Sequence, residues 1–314
     1  MIPAAVSEIA KRITITADSL IATLDGEEVT ADTASGLSGQ LGALMYTRIH
    51  AGTPKGDSDL APRRARDFAA EELIAVHTPH QETIVTATVA SEPVHNTQVV
   101  TLGGVRIRVS ADKVIQRDGE TVKLAFPSHR PALSTGFYLV ESSAENKVSP
   151  GLLRLYLHCE DLDSALVTWK TVLTHLEERK AVYRAKVLSA ALAYPRRDAI
   201  VIYLPPQSWQ YARTIADLAP ELALSEQVSP ITHRLAPGIS AAWEPDDSRP
   251  HMQRLSFGQH RMNIIAAALV GQALGDNGIT PDEAVYEAFI DNGIDPTSPA
   301  RNLSSPPLTE LAMF

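Results

Sequence analysis

Five short segments between residues 82 and 126 constrain the fold of this chain more than any other feature. The segments, ETIVTATVA, TQVVTL, VRIRVS, KVIQR and TVKLAF, are rich in β-branched residues and are separated by turn residues. Apolar and polar side chains alternate along them with a period of two, as they do on half-buried strands. In GVRIRVS the alternation predicts Val105, Ile107 and Val109 on one face. The pattern predicts an antiparallel meander over residues 82–126.

The region before the meander is predicted to be helical. Residues 63–77 form an amphipathic stretch that is rich in Ala and Glu, and Pro79 ends it. Within residues 38–50, apolar side chains recur at helical spacing, namely Leu41, Leu44, Met45 and Ile49. We therefore expect residues 1–81 to form a mainly helical N-terminal region.

The region after the meander mixes predicted strands and helices. Apolar or alternating segments predict strands over residues 136–141, 152–158, 181–189 and 198–205. Helices are predicted after Asp161 or Asp163 (the alternative N-caps), over 207–219, over 259–273, and over 281–292 with Thr280 as the cap. The fold class is therefore α+β, with an antiparallel strand-rich middle and mixed strands and helices in the C-terminal half. Residues 82–294 are predicted as one α+β domain, and residues 295–314, which contain four prolines, as a loose tail.

Charge and composition exclude several classes of function. The net charge of −9 disfavours a general nucleic-acid binder, and no apolar run approaches the roughly 20 residues that span a bilayer. The single cysteine, Cys159, excludes an intramolecular disulfide and a multi-cysteine metal site. Phosphate-binding loops of the GxGxxG and GxxxxGK[ST] types are absent, as is HExxH. We expect a cytoplasmic protein with no cofactor, no metal, and no nucleic-acid or membrane partner.

Ionisable side chains in the second half of the chain are the candidate functional residues. They lie at the end of a predicted strand, within one, directly before one, and at the start of a predicted helix. The set comprises His158, Lys186, Arg196, Arg197, His260 and Arg261. A purely structural interpretation is open for each; Lys186, for example, also fits an outward position on a half-exposed strand. Together they offer an acid, a base and several guanidinium groups.

The stretches that carry these residues resemble the HopA-type effector family. They are LLRLYLHC, YRAKVLSAALAYPRRDAIVIYLP and LSFGQHRMNIIAAALVGQAL. The most specific elements are Tyr194, an arginine at 196 or 197 followed by Asp198, and the run SFGQHR that begins at Ser256. The likeness covers about residues 130–275. Members of this family accompany the biosynthesis of class V lanthipeptides and thioamitides.

The resemblance implies a lyase that acts on phosphothreonine or phosphoserine. Such an enzyme removes phosphate by β-elimination from a ribosomal precursor peptide with a leader, giving dehydrobutyrine or dehydroalanine. A partner kinase, similar to aminoglycoside phosphotransferases and expected in a heteromeric complex, phosphorylates the peptide first. The similar phosphothreonine lyases use a lysine base, a histidine acid and several arginines on the phosphate. Their order along the chain implies Lys186 as base and His158 as acid, with Arg196, Arg197, Arg261 and His260 binding phosphate.

Elimination needs these residue types for physical reasons. A lysine acts as a base only in its neutral form, which burial and neighbouring cations favour. Arginines bind phosphate through bidentate, charge-assisted hydrogen bonds and stabilise the charge on the leaving group. A non-catalytic phosphopeptide adaptor or effector-like scaffold is the alternative function. A kinase subunit is a third interpretation, against which the missing nucleotide loops argue.

Overall fold

The structure, a computed structural model, describes residues 1–55, 66–145, 151–275 and 278–309. Within these ranges the chain has seven α-helices and three antiparallel sheets, which confirms the predicted α+β class. The helices are α1 (Ala4–Lys11), α2 (Ala34–Met45), α3 (Phe68–His77), α4 (Leu162–Glu178), α5 (Tyr211–Asp217), α6 (Phe257–Leu274) and α7 (Pro281–Asp291).

The N-terminal region contains a three-stranded sheet as well as helices. Strands β1 (Ile13–Thr16), β2 (Ile21–Leu24) and β3 (Glu27–Thr30) pair in sequence order. Each strand has only four residues, too few for alternation to be recognised in the sequence. Helix α2 begins at its N-cap Thr33 and continues into one turn of π-helix, Tyr46–His50. The predicted second helix is α3, which begins at its N-cap Asp67; residues 63–65 of that prediction lie outside the described residues.

The five predicted strands form one antiparallel sheet, here called the small sheet, but not the predicted meander, in which each strand would pair with the next along the chain. Its order is β6-β5-β4-β8-β7, so the last strand returns to pair with the first. The alternation of GVRIRVS is only partly reflected in burial, because Val109 is buried whereas Val105 is exposed on this terminal strand. The strands are β4 (Glu82–Val89), β5 (Thr97–Leu102), β6 (Val105–Ser110), β7 (Val114–Asp118) and β8 (Thr121–Pro127).

The second half of the chain forms a seven-stranded antiparallel sheet, here called the main sheet. Its order is β14-β15-β11-β13-β12-β10-β9. The central strand β13 contains a bulge, because its residues Arg196 to Ile200 lie opposite only Cys159 to Leu157 of β11. The strands are β9 (His129–Ser134), β10 (Phe137–Glu141), β11 (Leu153–Cys159), β12 (Arg184–Leu188), β13 (Arg196–Leu204), β14 (His233–Ala236) and β15 (Ile239–Trp243).

Helices cover both faces of the main sheet, so every residue of β11 is buried. Helix α4 packs on β11, β12 and β13 through its apolar stripe, which includes Trp169 and Leu173. On the other face the π-turn and α6 contact Tyr156 of β11, whose ring lies 5.4 Å from that of His50 and 6.1 Å from that of Phe257. Helix α2 packs along α6 in this second layer.

Local capping signals place the main helices where the sequence predicts them. Asp161, rather than Asp163, is the N-cap of α4 and forms a capping box with Ser164. Thr280 caps α7 as expected. Among the helices that the structure describes, none has the length and apolar character that a bilayer crossing requires.

The buried apolar residues of the described chain form two clusters. One large cluster joins residues of α1 and α2 to those of the main sheet, α4 and α6, so the N-terminal region shares the core of the second half. The small sheet has a separate core of five buried residues, Ala87, Val100, Val109, Val122 and Leu124.

The described part of the predicted loose tail is packed. Residues 295–309 return to the main sheet, where Leu308 is buried and the indole of Trp243 donates to the carbonyl of Pro306. The prolines of this segment therefore shape an ordered path over the core.

Candidate functional site

A cleft of about 530 Å³ opens between the α2–π-turn segment, the start of β10 and α6. We call it the arginine cleft because the half-buried Arg196 lies in its wall. Its other lining residues are Gly39, Ala43, Tyr46, Thr47, Ala51, Thr53, Thr135, Gly136, Phe137, Leu188, Ala193, Leu255, Gln259 and Asn263.

Arg196 is held by two partners that leave part of its guanidinium unoccupied. Its Nε and Nη2 each donate to the Asp198 carboxylate at 2.7 Å, and Nη2 also donates to the Tyr46 hydroxyl at 2.8 Å. The Tyr46 hydroxyl in turn donates to Asp198 Oδ2 at 3.2 Å. Nη1 has no hydrogen-bond partner among the described residues and is not among their buried unpaired atoms. Arg196 can therefore offer N–H groups to an anion in the cleft.

Beside this guanidinium, Asp198 is deprotonated and Tyr46 keeps its proton. Burial opposes the charge of Asp198, but the Arg196 cation and its hydrogen bonds outweigh it, so the pKa of this carboxyl lies well below its usual range. Burial raises the pKa of Tyr46 to about 12, so its hydroxyl keeps its proton at neutral pH. The site thus contains a fixed ion pair and a neutral phenol.

Lys186 and Arg196 contact the same aromatic ring. The Lys186 Nζ lies 4.1 Å from the centroid of Phe137, and the Arg196 Cζ lies 5.8 Å from that centroid. Lys186 is half-buried on β12, opposite Val201 of β13, which in turn lies opposite Tyr156 of β11. Because directly paired residues share a face of the sheet, Lys186 lies on the face that the π-turn and α6 cover. The structure therefore brings the predicted base and one of the two alternative arginines together.

Arg197 and His158 both hydrogen-bond to Gln227. The Arg197 Nη2 donates to the Gln227 side-chain oxygen at 2.8 Å, and His158 Nδ1 donates to the Gln227 carbonyl at 2.9 Å. Arg197 also donates to the Ile49 carbonyl and packs on the backbone of Gly52. Burial lowers the pKa of both His158 and Arg197. The two neighbouring arginines, which sequence reasoning left as alternatives, thus have different surroundings.

His260 and Arg261 form a third group that is bonded inward. His260 Nε2 donates to Asp247 at 2.9 Å, and its Nδ1 accepts from Arg261 Nη1 at 2.8 Å. Arg261 is fully buried and donates further to the Pro299 carbonyl and to Asn302. Burial lowers the pKa of His260 to about 4 and that of Arg261 to about 9. Both side chains thus make their hydrogen bonds to other residues of the protein. Their phosphate-binding role stays a prediction.

Two residues of the π-turn, Tyr46 and His50, belong to the site but were missed in the sequence. His50 is buried, hydrogen-bonds Ser229 at 2.9 Å through Nδ1, and has a pKa that burial lowers to about 4. It packs directly on Gly258 at the start of α6, where an added Cβ would lie 2.1 Å from the imidazole. The spacing of four residues between Tyr46 and His50 was the available signal, since such residues share a helix face.

Asp198 lies at the electrostatic centre of these groups. Arg196, His50 and Lys186 all act on its carboxyl, and its charge acts in turn on His158. The arrangement combines an amine, an imidazole and guanidinium groups around a single fixed carboxylate, which suits the binding of an anion and the transfer of a proton. Within the described ranges, no cluster of three or more His, Cys, Asp or Glu residues has the arrangement of a metal site.

Comparison with known proteins gives a family and a fold. A model of the HopA1 effector protein family matches residues 128–301. The chain is similar to an effector protein from Pseudomonas syringae pv. tomato strain DC3000, with 16% identity, a TM-score of 0.51, and coverage of 95% of this chain and 96% of that one. An effector protein from Pseudomonas syringae pv. syringae strain 61 matches with 15% identity, a TM-score of 0.50 and the same coverage. The comparison with curated proteins finds no match. At these identities the two structures show a shared fold.

Proposed function

The chain belongs to the HopA1 effector protein family, and on that premise we propose that it is a lyase that removes phosphate from phosphothreonine or phosphoserine by β-elimination. The substrate is a ribosomal precursor peptide with a leader, and the product residue is dehydrobutyrine or dehydroalanine. A partner kinase, similar to aminoglycoside phosphotransferases, supplies the phosphorylated peptide. Such a lyase works in the cytoplasm, where the peptide is made.

The juxtaposition of Lys186 and Arg196 is the observation that carries the proposal. Both side chains contact the ring of Phe137, and Arg196 lies in the wall of a cleft with Nη1 unpartnered among the described residues. A phosphate bound by that Nη1 places the Cα and Cβ of its residue within the same cleft. Lys186 has no paired carboxylate among the described residues, as a base requires.

The elimination step assigns a role to each group. The Lys186 amine takes the proton from Cα, and the electron pair of that C–H bond forms the Cα=Cβ double bond. The Cβ–O bond breaks, and phosphate leaves with the electrons of that bond. Arg196 stabilises the negative charge on the leaving phosphate. No water enters the bond-breaking step.

His158 is proposed as the acid that protonates the leaving oxygen. Its Nδ1–H is committed to the Gln227 carbonyl, so the proton comes from Nε2 of the imidazolium form, and the pKa that burial lowers makes this imidazolium a stronger acid towards the leaving oxygen. Arg197, which shares Gln227 with His158, is proposed to hold the phosphate from the same side as this acid. His260 and Arg261 retain the phosphate-binding role that the resemblance implies, although a phosphate would first have to replace their present partners.

Mass spectrometry of a phosphorylated precursor peptide tests the proposal. We expect the protein to release phosphoric acid and leave a dehydro-residue that adds a thiol. Lys186→Ala should lower the elimination rate by about 10²–10⁴ because the proton acceptor is lost. Lys170→Ala is the matched control, since Lys170 is exposed on α4, which covers the opposite face of the main sheet. It should eliminate at the wild-type rate.

Three results would contradict this assignment. Phosphate release that restores the hydroxyl would indicate a phosphatase. Equal rates for Lys186→Ala and wild type would remove Lys186 as the base. Tight binding of the phosphopeptide without any change in mass, with the kinase and the leader present, would favour the adaptor function instead.

A further inference from the structure

The arginine cleft adjoins a second cleft on the outer side of α2. The second cleft has a volume of about 520 Å³ and lies between α2, α6 and the loop around Met252; we call it the distal cleft. Gly39 and Asn263 line both clefts. The two clefts therefore adjoin at these residues and lie one after the other along α2, and we call them together the groove.

Two glycines of α2 shape the place where the clefts meet. At Gly42 the helix lies against α6 so closely that an added Cβ would lie 2.3 Å from the Asn263 side-chain oxygen. At Gly39, nearly one turn earlier, no heavy atom lies within 4 Å of such a Cβ. The contact at Gly42 fixes the two helices, and the space over Gly39, where the clefts adjoin, is open.

The length of the groove fits a peptide in the extended conformation. Its lining on α2 and the π-turn runs from Ser35 in the distal cleft to Tyr46 beside Arg196. These eleven residue steps correspond to about 16 Å at the helical rise. An extended peptide covers this distance with about five residues.

The distal cleft has an apolar floor. Met252 and Ile264 are 8% and 5% exposed and line the cleft together with Ala267 and Ala268. Polar groups stand at its rim, among them Ser35 and His251. An aliphatic side chain can therefore enter the cleft while the peptide backbone keeps polar neighbours.

We propose that this groove binds the substrate peptide on one side of its phosphorylated residue, with an aliphatic side chain four or five residues away seated in the distal cleft. The proposal rests on the proposed function for the position of the phosphorylated residue at Arg196. The adjoining of the two clefts identifies the occupant as an extended segment of that same peptide. The peptide sequence, and not the phosphate alone, then determines affinity.

Gly39→Phe tests the groove without disturbing the fold. The new ring enters the open space over Gly39, and phenylalanine is no worse than glycine within a helix. Gly271→Phe is the matched control, since Gly271 is a helical glycine on α6 that also has no neighbour within 4 Å and lines neither cleft.

Fluorescence anisotropy measures binding of labelled phosphothreonine peptides that differ in length and sequence. The long peptides carry leucine four or five residues before or after the phosphothreonine, or serine at that position, and the short peptide has one residue on each side. We expect one of the leucine peptides, with leucine either before or after the phosphothreonine, to bind at least tenfold more tightly than the peptide with serine at the same position. This difference should be seen with wild type and with Gly271→Phe. Gly39→Phe should lose that difference, and Gly271→Phe should bind the short peptide as wild type does.

Other results overturn the groove proposal. They are equal binding of leucine and serine peptides by wild type, and an unchanged leucine preference in Gly39→Phe. Elimination is measured separately on the same peptides. Leucine-dependent binding without elimination would refute the lyase function but support the groove as a peptide-binding site. Elimination without a leucine preference would support the lyase function but refute the groove as a peptide-binding site.

Discussion

Asp198 stays ionised in the core because Arg196 meets it with two parallel hydrogen bonds. A carboxylate left alone at that depth would be costly, since burial of an unpaired charge costs several kcal/mol. The ion pair also fixes the guanidinium, so that Nη1 is the part left without a partner in the described structure. Asp198 thus acts as a positioning residue for the arginine that we place on the phosphate.

The buried histidines predict a loss of stability in mild acid. The pKa of His260 falls from 6.5 to about 4 on folding, so the unfolded chain binds more protons between these pH values. Stability is therefore present above pH 6.5 and declines as the pH falls towards 4. His260→Gln stays neutral throughout. Urea denaturation at pH 7 and pH 5 should show wild type losing about 2 kcal/mol more than this variant.

The pH window separates this effect from the titration of the carboxylates. Asp198 and Asp247 have folded pKa values well below their usual range, so both stay ionised at pH 5. Equal losses in wild type and His260→Gln would show that folding does not lower the pKa of His260.

Among the structural elements, the π-turn and the start of α6 depend on each other through one glycine. His50 packs where a side chain of residue 258 would lie. Gly258→Ala should therefore destabilise the protein by about 3 kcal/mol, because either the imidazole or the helix has to move. Gly271→Ala, a helical glycine with open space, should raise stability by about 0.5–1 kcal/mol. Urea unfolding of both variants measures the difference, and a neutral Gly258→Ala would refute the packing at His50.

Elements with a strong local signal could be predicted, and those that depend on partners could not. The small sheet, α4 with its cap and α6 follow from periodicity and capping residues. The four-residue strands β1–β3 carry no such signal, because they are too short for a period-two alternation to be recognised. Likewise, the sequence placed Lys186 within a predicted strand and Arg196 directly before another, but it did not show that these two strands pair. The spacing of residues in the sequence does not reveal that Arg261 bonds to Pro299 and Asn302, which lie 38 and 41 residues later.

On the scale of the whole molecule, the two separate cores predict two levels of stability. Val100 is buried among the five residues of the small-sheet core, whereas Val172 is buried in the main core. Val100→Ala should lower the local stability of the small sheet by about 2 kcal/mol and speed amide hydrogen exchange there about 30-fold. Exchange in β11 and β13 should remain at the wild-type rate.

Val172→Ala is the matched control for this experiment. It makes the same truncation in the main core and should speed exchange in β11 and β13. An equal response of both sheets to Val100→Ala would show that the chain opens as a single unit.

The chain leaves the main body at Gln81 and returns to it at Ser128, whose N–H donates to the Gln81 carbonyl at 2.9 Å. Entry and exit thus lie side by side, as they do for an inserted cassette. The match to the family model begins at residue 128, directly after that return. Evolution can therefore lengthen, exchange or delete the cassette between these two residues while the chemistry of the main body is inherited unchanged.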